Sequence, residues 1–346
     1  MAPGRNGGGN EPGREGGACL RVSLFDADGN DLHIREDEID VSKLGPRQLL
    51  WVDLQDNAAG EAGEILHRLV DRLGLQDGRH ALDKLNGSPV LQNFGDWFLV
   101  AVTAVESPGK LRFEGRGLAI ACGERFVLSL HRGPLTFLDQ LHDRERGETR
   151  IGSLRPASFT ASLLDWQVDS YLHAVSNLEE EVDRLEVSLL ASKVYHEYLP
   201  DLAKLRRGTS RLRRMLAPHR HVFGSLARPD FRPGEDGGGS GPNRDFRALE
   251  QRFERAMDAV ENARDLVVGS FELFTTRSAQ RTNDTMRVLT FVTVLIGMLA
   301  VIAGALGMNF KAPLFETGTF GFWTTIGSMI AISIVATAIA RWRKWM

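Results

Sequence analysis

The sequence predicts an α+β cytoplasmic domain followed by long stalk helices and two C-terminal transmembrane helices. Three observations carry this reading. Two runs without a charged residue, Val288–Met308 and Phe320–Ala340, lie near the C-terminus, each long enough to cross a hydrocarbon core of about 30 Å as a helix. Ahead of them, from residue 156, apolar residues recur at spacings of three and four, the period of an amphipathic helix. From Cys19 to residue 155, short Val-, Leu- and Phe-rich runs are broken by turn residues, the pattern of strands.

Residues 1–18 open with MAPGRNGGGNEPGREGG, polar and Gly-rich, and read as a disordered tail without the apolar core of a signal peptide. Membrane insertion is then expected to be directed by the C-terminal spans. With 25% charged residues most of the chain is expected outside the bilayer. About 280 residues precede the first span, enough for one large core or two moderate ones. A net charge of -3 gives no reason to expect nucleic acid, and two cysteines, Cys19 and Cys122, build neither a disulfide framework nor a thiolate zinc site.

Residues 19–155 are expected to form the α/β domain. Its candidate strands are Leu20–Phe25, Leu49–Leu54, Trp97–Val105, Leu111–Ala121 and Arg125–Leu130, with turns at Asp28-Gly29-Asn30, Ser107-Pro108-Gly109 and Cys122-Gly123-Glu124. Ala59–Leu73 places Ile65, Leu66, Leu69, Val70 and Leu73 on one face, which is a helix.

Residues 156–287 are expected to form the helical stalk region, with a loop at 227–242 rich in proline and glycine. Ser162–Leu190 carries Leu164, Val168, Tyr171, Leu172, Val175, Leu178, Val182, Leu185 and Leu189 at helical spacing. Its acidic run, Glu179, Glu180, Glu181, Asp183 and Glu186, reads as a solvated face. Pro200–Leu216 is a second helix of opposite sign, with Lys204, Arg206, Arg207, Arg211, Arg213 and Arg214, and pairing against the acidic helix explains it better than lipid or nucleic acid. No proline interrupts Asp245–Met308, so one helix is expected to run into the first span as a rod of about 95 Å, with Gly269 as its weak point.

The spans are expected at 288–308 and 320–340, joined by an external loop at 309–319 and followed by a basic tail at 341–346. Arg281, Arg287 and the cluster Arg341-Trp342-Arg343-Lys344 flank the hairpin, whereas the connecting loop carries only Lys311 and Glu316. By the positive-inside rule both termini are cytoplasmic. In the first span Asn283, Met286, Thr290, Thr293, Gly297, Ala300, Gly304 and Gly307 form one narrow stripe, small or weakly polar, among faces of Leu, Val, Ile and Phe. Such a stripe serves either close helix packing or the lining of a path. Two helices cannot enclose water, so a path requires several copies with the first span inside. Neither span contains an ionisable residue, which disfavours a proton relay or a tight dehydrating metal site. Neutral oxygens of Thr290, Thr293, backbone carbonyls and the Asn309 amide suit a cation that keeps much of its water, and Mg²⁺ fits that chemistry best.

In order and spacing, Asn283, Met286, Arg287, Val288, Leu289 and Thr290, then Ala303-Gly304 and Gly307-Met308-Asn309-Phe310, resemble the CorA family of divalent-cation transporters. The resemblance implies a homopentameric funnel in a bacterial-type inner membrane, passing Mg²⁺, and with it Co²⁺ or Ni²⁺, inward as a transported cation, with gating by the cytoplasmic domain and no cofactor. It makes Gly307, Met308 and Asn309 the selectivity filter, with Asn309 binding the hydrated metal at the outer mouth. Met286 and Leu289 become the apolar constriction, and Asn283 lies just below it. Leu306 stands where many members carry an aromatic residue, and Lys311 near the mouth leaves Glu316 as the external attractor of cations. The family also has a zinc-transporting, ZntB-like branch, the nearest alternative. Asp83, Asp245, Asp258 and Asp265 are equal candidates for regulatory metal binding.

No enzyme signature is present: there is no phosphate-binding loop, zinc-protease helix or nucleophile elbow, and Gly115-Arg116-Gly117 lacks the rest of a dinucleotide motif. His219-Arg220-His221 lacks a third metal ligand nearby and reads as solvated. A reading from another class, a membrane-anchored regulatory or scaffold protein, follows from the absence of intramembrane charge.

Overall fold

The computed structural model describes residues 18–57, 61–82, 88–144, 151–191, 198–231, 241–308 and 318–343. Residues 1–17 of the expected tail at 1–18, most of the loops at 227–242 and 309–319, and the last residues of the basic tail lie outside them. The chain divides into two compact units, one comprising 1–191 with 198–268 and the other 192–197 with 269–346. The division falls at Gly269, where the sequence places the weak point of the long helix.

In the first unit the elements follow as β1 (Cys19–Asp26), β2 (Leu32–His33), β3 (Gln48–Asp56), α1 (Glu61–Leu73), α2 (Arg79–Leu82), β4 (Val90–Asn93), β5 (Phe98–Gly109), β6 (Arg112–Cys122), β7 (Phe126–Arg132) and α3 (Thr136–Arg144). Then come α4 (Pro156–Ala191), α5 (Leu199–Leu216), α6 (Arg220–Leu226) and the start of α7 (Gly241–Leu306). The seven strands form one sheet in the order β2-β1-β3-β7-β6-β5-β4. Neighbours are antiparallel except β3 and β7, which run parallel.

Alternation along the strands serves two cores. Leu50, Val52 and Leu54 of β3 with Leu128 and Leu130 of β7 join Leu66, Leu69 and Leu73 of α1. The opposite face presents Trp51, which packs edge-on against Phe159 of α4 at 5.4 Å. Helix α4 begins at Pro156, as its fixed φ favours, and buries Leu163, Val168, Tyr171, Val175, Leu178, Val182 and Leu185.

The sequence reading differs from the structure at several places. β2, β4 and α3 are too short to carry a periodic signal. The β5–β6 turn is Lys110-Leu111, one step beyond the expected Ser107-Pro108-Gly109, because a register shift between Glu106 and Gly109 carries the pairing to Gly109 opposite Arg112. Leu111 there takes a left-handed φ of 57°, which is uncommon for a residue with a side chain. Among the described residues, ion pairs of the basic helix and of the acidic one run to other elements. Arg213 of α5 meets Glu261 of α7 at 2.5 Å and Arg220 of α6 meets Glu254 at 2.8 Å. On α4, Asp165 and Asp169 take Arg252 of α7 at 3.2 and 2.6 Å. Within this unit α7 is therefore an ionic partner of both helices, while Glu181 of the acidic run takes Lys110.

Two buried polar groups hold the layers in register. Asp53 of β3 accepts from Ser129 Oγ at 2.5 Å and from His142 Nε2 at 3.0 Å, and His142 stacks on Trp51 with centroids 4.1 Å apart. His131 gives its Nδ1 proton to Gly133 O at 2.7 Å and holds Nε2 3.4 Å from Asp53 Oδ1. Burial alone raises the Asp53 carboxyl, but the two histidines outweigh it and hold it far below the usual carboxylate range. Burial likewise lowers the His131 imidazole, and Asp53 outweighs it, raising its pKa.

The second group is His219, which the sequence reading left solvated. It is fully buried: β4 pairs β5 only as far as Ala101, so the backbone at Thr103 needs other partners. Thr103 N donates to His219 Nε2 at 2.8 Å, and Thr103 O accepts from Gln167 Nε2 at 2.5 Å and Tyr171 Oη at 3.1 Å. His219 Nδ1 donates to Leu216 O at 3.0 Å, so the ring is neutral. Burial drives its pKa from 6.5 down to about 4.

The unfolded chain thus takes up this proton before the folded one. The contribution of His219 to stability is complete above pH about 6.5 and is lost as pH falls toward about 4, by roughly 3 kcal/mol. Calorimetry of wild type and His219→Leu over that range should show the wild type losing stability more steeply, the two curves converging at acid pH. Parallel curves would sink the assignment.

Candidate functional site

The second unit contains the end of α7 and a further helix, α8 (Gly318–Trp342). Both are long and apolar enough to cross a membrane. At the lower end Arg287 lies 4.0 Å from Asp284 one turn earlier. Above it no charged residue follows on α7.

Burial along α7 is one-sided. Phe291, Leu295, Leu299, Ile302 and Leu306 are half-buried, while the residues between them are exposed. At about 100° per residue these five fall on one face. On α8 the half-buried positions are Gly321, Thr325, Ile326, Met329, Ser333, Ala336 and Thr337, with Ala340 buried. Among the described residues of this unit, each helix is what the other has to pack against. The half-buried side of α7 carries large side chains and that of α8 mostly small ones, a complement that lets membrane helices approach closely.

The stripe of Asn283, Met286, Thr290, Thr293, Gly297, Ala300 and Gly304 lies on the other side of α7, roughly 180° from the covered face. Every member is exposed. A Cβ added at Gly297 or Gly304 would meet nothing within 4 Å, so these glycines are not filled by packing inside the chain. Met286 and Leu289 are 63% and 65% exposed, with Leu289 at the edge of the stripe. Thr293 Oγ1 donates to Leu289 O at 2.8 Å, which spends its hydrogen inside the helix and leaves its oxygen an acceptor only.

At the upper end the helix closes on the tripeptide. Gly307 N donates to Ala303 O and Gly304 O at 2.9 and 3.1 Å, and Met308 N to Ala305 O at 3.4 Å. The carbonyl end of a helix carries a partial negative charge, and it falls here at Gly307-Met308, where a cation is favoured. Asn309 and Glu316, expected as metal ligand and external attractor, lie outside the described residues, as does Asp83. Among the described residues no group of three or more His, Cys, Asp or Glu side chains is gathered as a metal site. The sequence reading missed the covered face of α7 and its small-residue counterpart. Their signal was present as Gly321, Thr325, Ser333, Ala336 and Ala340 at near-helical intervals.

A three-layer α/β unit and two helices long and apolar enough to cross a membrane, the first with one bare, weakly polar face, define the class as a helical membrane protein. The family model described as CorA-like Mg2+ transporter protein matches residues 46–341, and the chain belongs to the CorA family. The cobalt/magnesium transport protein CorA of Thermotoga maritima is 26% identical over 292 residues, covering 81% of each chain. The divalent cation transporter CmaX of Pseudomonas aeruginosa is 26% identical over 325 residues, covering 92% of this chain and 94% of that one. The fold matches the complete structure of the CorA magnesium transporter from Methanocaldococcus jannaschii with a TM-score of 0.71 at 21% identity, covering 94% of this chain and 98% of that one.

A thiol reacts as thiolate, which forms in water and not against lipid or a packed helix. In a Cys19→Ser background, Thr293→Cys and Gly297→Cys should react with a charged, membrane-impermeant thiol reagent at least about ten-fold faster than Leu295→Cys and Leu299→Cys. Equal labelling of both sets would remove the stripe as a wetted surface.

Proposed function

We propose that the chain assembles as a homopentamer in a plasma-type membrane and conducts hydrated divalent cations, Mg²⁺ foremost with Co²⁺ and Ni²⁺, into the cytoplasm. The observation that carries this reading is the bare stripe of α7, uncharged and set opposite the half-buried face of the same helix. Several copies arranged with α7 inward enclose that stripe and leave α8 toward lipid, which satisfies the polar groups that a lone hairpin exposes.

The stripe offers hydroxyl and carbonyl oxygens and no carboxylate. Such ligands do not offset the dehydration of Mg²⁺, which keeps its water in most protein sites. Passage of the hydrated ion follows, with Asn309 amides at the mouth selecting by hydrogen bonds to its water. Met286 and Leu289 act as apolar rings that block conduction by dewetting. Gating by the cytoplasmic domain is supported by continuity of α7, which buries Phe246, Phe253 and Val260 in the α/β unit and carries the rings further along the same helix. Both termini then lie in the cytoplasm.

Metal uptake into vesicles holding the purified protein tests the proposal. Mg²⁺ and Co²⁺ should enter without regard to a pH gradient, and Asn309→Ala should cut uptake by about ten-fold or more, the worth of a lost hydrogen-bonding group at each subunit. Zn²⁺ uptake that follows the pH gradient would move the protein to the zinc-transporting reading. No uptake of any metal by a monomer would leave an anchored regulatory protein.

A further inference from the structure

The four arginines Arg206, Arg207, Arg211 and Arg214 of α5 are exposed and have no acidic partner among the described residues. They span about 140° of the helix surface, opposite the buried Leu205, Leu212 and Leu216. Their neighbours are spoken for: Lys204 by Asp201 and Arg213 by Glu261.

The same unit has an unmatched acidic surface on α4. Glu180 and Asp183 are exposed and Glu179 half-exposed, again without a basic partner among the described residues, while Glu181 is held by Lys110 at 3.1 Å and by Arg184 at 2.5 Å. Although α4 and α5 are consecutive helices in one unit, these two surfaces make no ion pair with each other among the described residues. One folded subunit therefore carries two unsatisfied charge patches of opposite sign on different helices.

We infer that the basic face of α5 docks against the Glu179–Asp183 face of α4 on the adjacent copy of this chain, in a head-to-tail contact repeated around the assembly. A cyclic oligomer is closed by a contact between two different patches of each subunit, so one patch must complement the other. Charge complementarity of this kind sets register and orientation more than affinity. The inference rests on the homo-oligomer reading above and adds which cytoplasmic surfaces face each other.

The test uses full-length protein with Cys19→Ser, co-expressed as two differently tagged copies. One carries Asp183→Cys and the other Arg211→Cys, and a short bis-maleimide is added. A product bearing both tags is expected, its yield falling about five-fold or more when salt shortens the Debye length from roughly 10 Å to 3 Å. Replacing Arg211→Cys by Glu64→Cys, an exposed position on α1, should abolish the product. A monomeric mass in mild detergent overturns the oligomer reading and this inference together. A multimeric mass without the two-tag product overturns the inference alone. So does loss of binding to phosphatidylglycerol vesicles on reversing the four arginines to glutamate with no cross-link between the Asp183→Cys and Arg211→Cys copies, which assigns the patch to anionic lipid.

Discussion

The rest of this structure depends on the requirement that polar groups inside a bilayer find partners. In the hairpin that requirement is met locally wherever a side chain allows it. Thr293 bonds back to Leu289, Thr324 and Thr325 to Gly321, Ser333 to Met329 and Thr337 to Ser333. Each hydroxyl gives its hydrogen to the preceding turn and becomes an acceptor, so the face it occupies offers oxygen and no proton. Glycines on the same face add nothing that a neighbour could pack on. Among the described residues nothing covers the exposed stripe of α7, and on the proposed reading assembly does.

The α/β unit meets the same requirement by other means. Where β4 stops, the freed N–H and C=O of Thr103 are taken by three side chains from the helical layer. A hydrogen bond of this kind contributes only about 1 kcal/mol, but leaving the buried groups unpaired costs more, so the three side chains specify where the helices sit. At the parallel pair β3 and β7, Asp53 and Ser129 stand opposite each other, and α3 brings His142 to complete the set. A buried carboxylate is retained there because two imidazoles and a hydroxyl surround it.

Long helices were legible in the sequence because their apolar residues repeat over many turns. The positions of α4 read as apolar at helical spacing are buried apart from Leu172, which is half-buried. The family was legible from Asn283 to Phe310 because the residues that carry the resemblance stand there in order and spacing. Short strands were not, since two or four residues hold no period. His219 was misread because its burial follows from where β4 ends, a property of pairing and not of its neighbours in sequence. Asn309 and Glu316 rest on the resemblance, whereas the placement of the stripe opposite the covered face of α7 is structural. Opposite charges on successive helices also misled: the sign of a helix names what it can pair with and leaves open which element supplies it, and among the described residues α7 supplies partners to both.

Charge is distributed so that the unit outside the membrane carries nearly all of it and the spans carry none. A carboxylate in the path would bind a divalent ion strongly and hold it, since attraction grows as the local dielectric falls. Conduction requires binding weak enough to release. On the proposed reading, neutral oxygens and a helix carbonyl end supply a shallow attraction instead, distributed over several turns from Thr290 to Gly307. An ion retained in its water is then distinguished by hydrated size and charge more than by its own chemistry. On the proposed reading, selection between Mg²⁺ and Co²⁺ is therefore slight, and control of flow falls to whether the apolar rings at Met286 and Leu289 are wet.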